Sequence, residues 1–242
     1  MSEPMLSVDK LSAWYGAAQI LYDLSFTVGR GEVVALMGRN GAGKSTTMKS
    51  IMALVGQRAG TVHFNGADIS RLKPFEIARR GLGFTPEDRR IFVDLTVEEN
   101  LDIGRQPPRQ FADGAAAPAW TPERLYSLFP NLAEMPKRAG GSMSGGEQQM
   151  LTVARTLMGN PLLVLLDEPS EGVAPLIVEQ MANTIVELKK EGLSILLSEQ
   201  NVHFARLVSD RVYLLEKGQM RWQGTMAELD GNEDIQRAYL TV

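Results

Sequence analysis

The chain has 242 residues, enough for one large domain or two small lobes around a sizeable core. Its 29 acidic and 25 basic residues give a formal net charge of −4, which argues against a nucleic-acid partner bound through bulk positive charge. Because the chain has no cysteine, disulfides and thiolate metal sites are excluded, and a reducing compartment is expected. No apolar run approaches the ~18 residues of a membrane span, and the first residues lack the pattern of a secretory signal. We therefore expect a cytosolic chain that other chains hold at any membrane where it works.

The first third of the chain predicts an antiparallel β lobe wrapped around a buried strand. Residues 6–15 and 20–28 are typical of two strands joined by a short turn, because apolar and polar residues alternate along the second. The apolar run 33–37 is typical of a buried strand, and residues 61–64 predict a further strand that ends in an Asn-Gly turn. Residues 82–84 predict a short apolar strand.

The sequence Gly-Arg-Asn-Gly-Ala-Gly-Lys-Ser at residues 38–45 lies between the buried strand and a helix predicted over residues 46–54. It fits the pattern G-x-x-x-x-G-K-[ST], in which backbone N–H groups and a helix N-terminus surround phosphate oxygens. Lys44 is expected to reach the β- and γ-phosphates, and the Ser45 hydroxyl is expected to bind Mg²⁺. The structural alternative is an ordinary glycine turn before a helix.

The middle third reads as helical but interrupted. Thr96 and Glu99 form a predicted capping box at the start of one helix. Residues 106–122 contain four prolines and predict a loop, and the next helix is expected over residues 122–128.

The final third alternates apolar strands with amphipathic helices. Strands are predicted at residues 162–166, 194–197 and 211–215, and helices at residues 176–190 and 202–208. Such alternation around a phosphate loop predicts a mostly parallel α/β sheet.

Two carboxylates follow the apolar strand 162–166. Asp167 is placed to hold Mg²⁺ directly or through water, together with Ser45. Glu168 is placed to polarise an attacking water as a general base. An acidic strand-to-turn junction without chemistry is the alternative.

A second glycine-rich turn, Ser144-Gly145-Gly146-Glu147, opens an amphipathic helix that runs to Met158. Its N–H groups and hydroxyl make a second candidate anion site. Because one phosphate chain does not need two separate cradles from one molecule, the two turns predict two molecules placed head to tail.

With these motifs in this order, the chain resembles the ATP-binding-cassette (ABC) ATPases over essentially its whole length. The resemblance implies ATP and Mg²⁺ as cofactors, with Lys44 and Glu168 in catalysis, Ser45 and Asp167 on the metal, and Tyr15 stacked on adenine. A core aromatic in a strand is the alternative for Tyr15. The implied phosphate loop is Gly38, Arg39, Asn40, Gly41, Ala42, Gly43, Lys44, Ser45 and Thr46. The implied signature, which contacts the γ-phosphate held by another subunit, is Ser144, Gly145, Gly146 and Glu147.

The resemblance also implies one domain over residues 1–242. Residues 1–82 and 160–242 are expected to form an α/β P-loop NTPase core with a mostly parallel sheet and an N-terminal antiparallel β lobe. About residues 83–159 are expected to form a helical subdomain that carries the signature.

Three positions depart from the commonest family pattern: Glu87 replaces a glutamine, Gln200 replaces a histidine and Ala174 replaces an aspartate. Together they resemble the second ATPase subunit of branched-chain amino acid importers, and also importers of urea or short amides. Gln200 can donate a hydrogen bond to the γ-phosphate but does not titrate near neutral pH, which leaves Glu168 as the only obvious base. A carboxylate at position 87 would repel phosphate unless the metal or an arginine screens it. We therefore expect Glu87 to pair with Arg89 or Arg90 or to contact a transmembrane partner, and to engage the metal at the nucleotide site only when the two ATPase subunits close.

The partners implied by the resemblance are transmembrane permease subunits, a second ABC ATPase subunit (a sister chain or a second copy), and a periplasmic or lipoprotein solute-binding protein. No nucleic acid is expected, and the chain would lie at the cytoplasmic face of the cell membrane.

Closure of the two ATPase subunits would be transmitted to the permeases through residues 87–95 and also residues 121–132. The apolar residues of this segment predict either a docking patch or core packing: Ile91, Phe92, Val93 and Leu95. The rival functions are a soluble ABC ATPase of DNA repair or translation, a small-molecule kinase, and a regulatory module that holds ATP without turnover.

Overall fold

The computed structural model describes residues 3–240. In chain order its strands are β1 (Leu6–Tyr15), β2 (Ala18–Val28), β3 (Val33–Met37), β4 (Gln57–Phe64), β5 (Ala67–Asp68), β6 (Leu82–Thr85), β7 (Leu163–Asp167), β8 (Ser194–Glu199), β9 (Arg211–Glu216) and β10 (Gln219–Thr225). Its helices are α1 (Lys44–Ile51), α2 (Pro74–Arg79), α3 (Val97–Gly104), α4 (Pro122–Leu128), α5 (Pro130–Ala133), α6 (Gly145–Met158), α7 (Pro175–Lys190), α8 (Val202–Val208), α9 (Met226–Asp230) and α10 (Glu233–Tyr239).

The larger sheet has the strand order β10-β9-β3-β8-β7-β6, and its strands are parallel except for β10. Every residue of β3, β7 and β8 is buried, as expected when helices cover both faces of a parallel sheet. The predicted α/β fold class is confirmed. Because β3, β6, β7 and β8 run in the same direction, the residues that follow them meet at one edge of the sheet.

The smaller sheet is antiparallel, with the order β2-β1-β4-β5, and it forms the predicted N-terminal lobe. Strand β4 begins at Gln57 rather than at residue 61, because it follows β1 in register as far as Trp14. One apolar cluster fills the space between the two sheets, and a second joins the other face of the parallel sheet to helices α3–α8.

Helix α1 begins at Lys44, two residues earlier than predicted, and α6 begins at Gly145. The capping box of Thr96 with Glu99 is present as predicted, with Glu99 Oε2 accepting from the Thr96 N–H at 2.8 Å. Within residues 3–240 we find no helix with the length and apolar character needed to cross a membrane.

Residues 105–121 lack helix, as predicted, but they are anchored at both ends of their path. The Arg30 guanidinium lies 3.5 Å from the centre of the Phe111 ring and pairs with Asp113 at 2.8 Å. Trp120 is buried, and its N–H donates to Asn160 Oδ1 at 2.6 Å. This segment therefore connects the turn between β2 and β3 to the turn between α6 and β7.

Candidate active site

The phosphate-loop sequence forms a tight turn from the end of β3 into α1. Gly38 has φ 153°, and a Cβ at this position would overlap the carbonyl oxygen of Leu215. Gly43 caps α1 with φ 106°, which a side chain disfavours. The backbone can therefore curl tightly in front of the helix N-terminus, where the helix dipole favours an anion.

Lys44 lies under this turn, with its side chain buried. Its ammonium donates to the carbonyl oxygen of Gly38 at 2.8 Å and pairs with Glu168 Oε1 at 3.0 Å. The pair places the cation of the loop and the candidate base in contact.

Asp167 ends β7 with no exposed surface. Its Oδ1 accepts from the Ser45 hydroxyl at 2.9 Å and from the Ser198 hydroxyl at 2.6 Å. Its Oδ2 is buried and has no hydrogen-bond partner among the residues described. Burial raises the pKa of Asp167, although the hydrogen bonds from Ser198 and Ser45 oppose this rise. An unpartnered carboxylate oxygen beside a serine hydroxyl fits the oxygen donors that Mg²⁺ prefers, with phosphate and water completing the shell. Residues 3–240 contain no group of three or more His, Cys, Asp or Glu side chains that could hold a metal ion by themselves.

Glu168 follows Asp167 in the left-handed region, with φ 49°. Its N–H donates to the Ser198 hydroxyl and to the Ser198 carbonyl oxygen, both at 3.1 Å. Burial alone would raise the pKa of Glu168, but hydrogen bonds from Glu171 and Lys44 and the charge of Lys44 outweigh it and lower that pKa. Glu168 is therefore held as a carboxylate, the form that a general base requires.

A cleft of about 450 Å³ lies in front of the loop. The predicted residues that line it are Tyr15, Asn40, Gly41, Ala42, Gly43, Lys44, Ser45, Thr46, Glu87 and Glu168. Tyr15 is 51% exposed at the end of β1, so the alternative of a core aromatic is wrong. Arg39 lines a neighbouring cavity with residues of α10.

The signature turn lies outside this cleft. Ser144 caps α6, with its hydroxyl accepting from the Glu147 N–H at 3.3 Å while Glu147 Oε2 accepts from the Ser144 N–H at 2.6 Å. A Cβ at Gly146 would approach Ile177 Cγ1 to 2.6 Å, so close packing against α7 favours glycine there. The Ser144 side chain is exposed, and the lining of the cleft includes no residue of the turn.

Comparison with known proteins identifies this arrangement. The family model described as ABC transporter matches residues 21–171. The high-affinity branched-chain amino acid transport ATP-binding protein BraG of Pseudomonas aeruginosa is 42% identical over 236 residues, which cover 98% of this chain and 99% of BraG. The chain belongs to the ABC transporter family.

This ABC ATPase is also similar to a second transport protein and to a protein of known structure. The lipopolysaccharide export system ATP-binding protein LptB of Haemophilus influenzae is 34% identical, over 98% of this chain and 97% of LptB. The crystal structure of MJ1267, an ATP-binding cassette of an ABC transporter in its ADP conformation, is 26% identical with a TM-score of 0.77, over 95% of this chain and 94% of MJ1267. The chain is thus an ATP-hydrolysing enzyme.

Glu87 of this ABC ATPase is not paired as expected. Arg90 Nε instead donates to Asp88 at 2.8 and 3.0 Å, and the guanidinium of Arg89 lies against Gly145 at the start of α6. Arg89 and Arg90 have φ values of 61° and 52°, so the chain turns away from Glu87 after two residues. Glu87 is exposed and faces the cleft.

Gln200 is half-buried just after β8 and is absent from the lining of the cleft. Ala174 caps the start of α7 without a side-chain hydrogen bond, where an aspartate could have supplied one. Sequence reasoning also missed Ser198 and Glu171, which bind Asp167 and Glu168 respectively. Ser198 is the penultimate residue of the neighbouring parallel strand β8, and only the strand order would have revealed its contact with Asp167.

The Glu171 carboxyl is hydrogen-bonded to the Glu168 carboxyl. Its hydrogen bond to Glu168, then its burial and the charges of Glu168 and Glu87, raise the pKa of Glu171 to about 7. An acid whose pKa is raised by folding binds more protons in the folded than in the unfolded state, so stability falls as pH rises from about 4.5 through about 7.

We therefore expect Glu171→Gln to flatten the fall in melting temperature between pH 5 and pH 8, because the amide donates to Glu168 without ionising. Melting temperatures measured across this range for parent and variant check it. Glu179→Gln, at an exposed carboxylate on α7, is the control and should leave the parent's slope intact. Parallel slopes for parent and Glu171→Gln would contradict the raised pKa of Glu171.

Proposed function

We propose that this ABC ATPase powers the uptake of branched-chain amino acids through partner permeases, with ATP held between two ATPase subunits. The observation that carries the mechanism is the division of the site: the phosphate loop, Asp167 and Glu168 surround one cleft, and the signature turn of the same chain faces elsewhere. The transported class rests on the 42% identity to BraG.

In this proposal Tyr15 stacks on adenine, and the loop from Gly38 to Thr46 holds the phosphates. Lys44 neutralises the β- and γ-phosphates, for which its contact with Glu168 must be exchanged. Ser45 and Asp167 hold Mg²⁺, which when bound neutralises phosphate charge. Glu168 orients and deprotonates the attacking water, and Gln200 donates a hydrogen bond toward the γ-phosphate.

The second subunit, a sister chain or a second copy, supplies its Ser144 turn to complete the site. The groups in this turn that suit an anion are the Ser144 hydroxyl and the N–H groups at the start of the fourteen-residue helix α6. Hydrolysis cleaves the γ-phosphate that both subunits contact, and the pair separates once the resulting inorganic phosphate has left.

Permease docking is proposed at a groove between the core and the helical region. Phe92 and Val93 are 48% and 51% exposed, and Phe92 lines this groove of about 500 Å³ with Ile103. Ile91, in contrast, packs against the core. The same segment contacts the signature region, because the Gly141 N–H donates to the Val93 carbonyl oxygen at 2.8 Å. Movement of the signature turn would thus reach the permeases, at the cytoplasmic face of the membrane. A periplasmic or lipoprotein binding protein would deliver the solute.

One alternative is specifically favoured by a comparison. The 34% identity to LptB makes a role in an export system the rival function, with the same ATP chemistry. An importer of urea or short amides is a second variant of the proposal.

The test is reconstitution of the chain in proteoliposomes with the membrane permease subunits that co-purify with it. We expect ATP-dependent uptake of radiolabelled leucine, and an at least about ten-fold loss of permease affinity and transport in Phe92→Ala, as for an aromatic anchor of an interface. Leu207→Ala, at an apolar residue of α8 that is 53% exposed, is the control and should leave both intact. Uptake of urea without uptake of leucine would show that the proposed solute is wrong. Export of a lipid-linked substrate without any uptake would show that the proposed direction of transport is wrong.

A further inference from the structure

A buried carboxylate with no assigned role lies behind the candidate active site. Glu199, the last residue of β8, is 1% exposed. Its Oε1 accepts from the Ser170 N–H at 3.1 Å. Its Oε2 accepts from the N–H groups of Gln200 and Asn201, each at 3.1 Å.

This environment is costly for a carboxylate unless it is satisfied by hydrogen bonds. No ion pair within residues 3–240 includes Glu199, so three backbone N–H groups take the place of a cation. Hydrogen bonds to a charged acceptor are stronger than those between neutral groups. A neutral side chain of the same shape could not serve all three donors, because an amide offers one acceptor oxygen.

The three donors belong to two different loops. Ser170 lies two residues after Glu168, in the loop between β7 and α7, whereas Gln200 and Asn201 begin the loop between β8 and α8. The Glu199 carboxylate is therefore a tie between the loop of the candidate base and the loop of the candidate γ-phosphate donor.

We propose that Glu199 is a positioning residue for ATP hydrolysis, which fixes Glu168 and Gln200 relative to each other by bridging their loops. The inference rests on the proposed roles of those two residues and adds the group that sets their geometry. Glu168 needs such support, because its φ of 49° persists only where the surroundings hold it.

The bridge matters for turnover more than for binding. Glu199 does not line the cleft, and Lys44, Ser45 and the glycine turn do not depend on it. A displacement of a catalytic group by about 1 Å costs on the order of 100-fold in rate, while the phosphate contacts remain.

The test uses two variants of the full-length chain, Glu199→Gln and Glu199→Asp. Glutamine keeps the length but serves only one loop, whereas aspartate keeps the charge but is too short to reach both. We expect each to lower kcat roughly 10- to 100-fold with the Kd for Mg-ATP within about three-fold of the parent. Hydrogen exchange at the amides of Ser170, Gln200 and Asn201 should rise at least about ten-fold in the protein without nucleotide.

Glu32→Gln is the matched control. Glu32 also bridges, accepting from the Gly29 N–H at 2.6 Å and pairing with Arg211, but it lies at the opposite edge of the parallel sheet. This variant should lower the melting temperature without a selective loss of kcat.

Parent-like kcat in both Glu199 variants overturns the inference, and so does a loss of kcat that comes with an equal loss of ATP affinity and no local rise in exchange. Failure of the proposed function gives a different result. If Glu168→Gln hydrolyses ATP normally, the base is wrong, whereas if only the Glu199 variants are normal, the bridge alone is wrong.

Discussion

Replacing Glu168 by glutamine is expected to abolish nearly all ATP turnover while ATP remains bound. Loss of a general base costs roughly 10²- to 10⁴-fold in rate, and Gln200 cannot substitute because an amide does not accept a proton near neutral pH. Glutamine keeps the volume of the buried side chain. It also frees Lys44, which pairs with Glu168 Oε1 at 3.0 Å, to interact with phosphate. ATP affinity should therefore be equal to or higher than that of the parent.

The measurements are single-turnover hydrolysis, equilibrium binding of Mg-ATP, and the molar mass in solution with ATP. The variant should accumulate as a nucleotide-bound dimer, because the γ-phosphate that both subunits contact is not cleaved. Glu171→Gln is the control, at a residue of the same loop that also lines the cleft. This variant should keep turnover within about ten-fold of the parent, because Glu171 contacts the base without acting as one. A variant that hydrolyses ATP normally and stays monomeric would refute the role of Glu168.

The phosphate loop and the pair Asp167–Glu168 were predictable because their chemistry is contiguous in the sequence. A glycine-rich turn between a buried strand and a helix has few other structural uses, and an apolar strand that ends in carboxylates places them at the carboxyl edge of a parallel sheet. The structure brings Ser45 and Asp167 within 2.9 Å, across 122 residues of chain, because β3 and β7 both pair with β8.

Glu199 and Ser198 were not predictable from the same pattern. Both lie in an apolar strand, and no local spacing shows that Ser198 reaches Asp167 or that Glu199 reaches the loop after β7. Ser198 reaches Asp167 only because these two residues are in register across the parallel pair. Side-chain contacts between neighbouring strands require the strand order, which one sequence leaves open.

The expected pairing of Glu87 with an arginine failed for a local reason. Arg89 and Arg90 both have left-handed backbone geometry, so their side chains point away from Glu87. The Arg89 side chain contacts Gly145, and the Arg90 side chain pairs with Asp88. The ordered path of residues 105–121 was missed for the opposite reason. Proline and alanine predict a loop, but the burial of Phe111 and Trp120 depends on distant partners.

Two inactive variants are expected to restore ATP hydrolysis when mixed, if each site takes its loop from one subunit and its signature from another. Ser144→Asp keeps a good N-cap for α6, so the helix should fold, but its carboxylate would repel the γ-phosphate. Lys44→Met removes the cation of the phosphate loop at similar volume. Each variant alone should lose at least about 100-fold in rate, as when a charged stabilising group is lost.

In a mixed dimer, one site carries both changes and the other carries neither. Random pairing makes half of the dimers mixed, so an equal mixture should recover about a quarter of the parent rate if the sites act independently. Thr225→Asp changes another capping box in the same way and is the control. This variant should retain full activity by itself, so it has no lost activity for mixing to restore. In the same sample, phosphate release measures ATP hydrolysis, and fluorescence energy transfer between differently labelled variants measures the formation of mixed dimers. A mixture that stays inactive and forms no mixed dimer with ATP would mean that Ser144 does not serve a neighbouring copy, and the site would then need a sister chain or no second subunit.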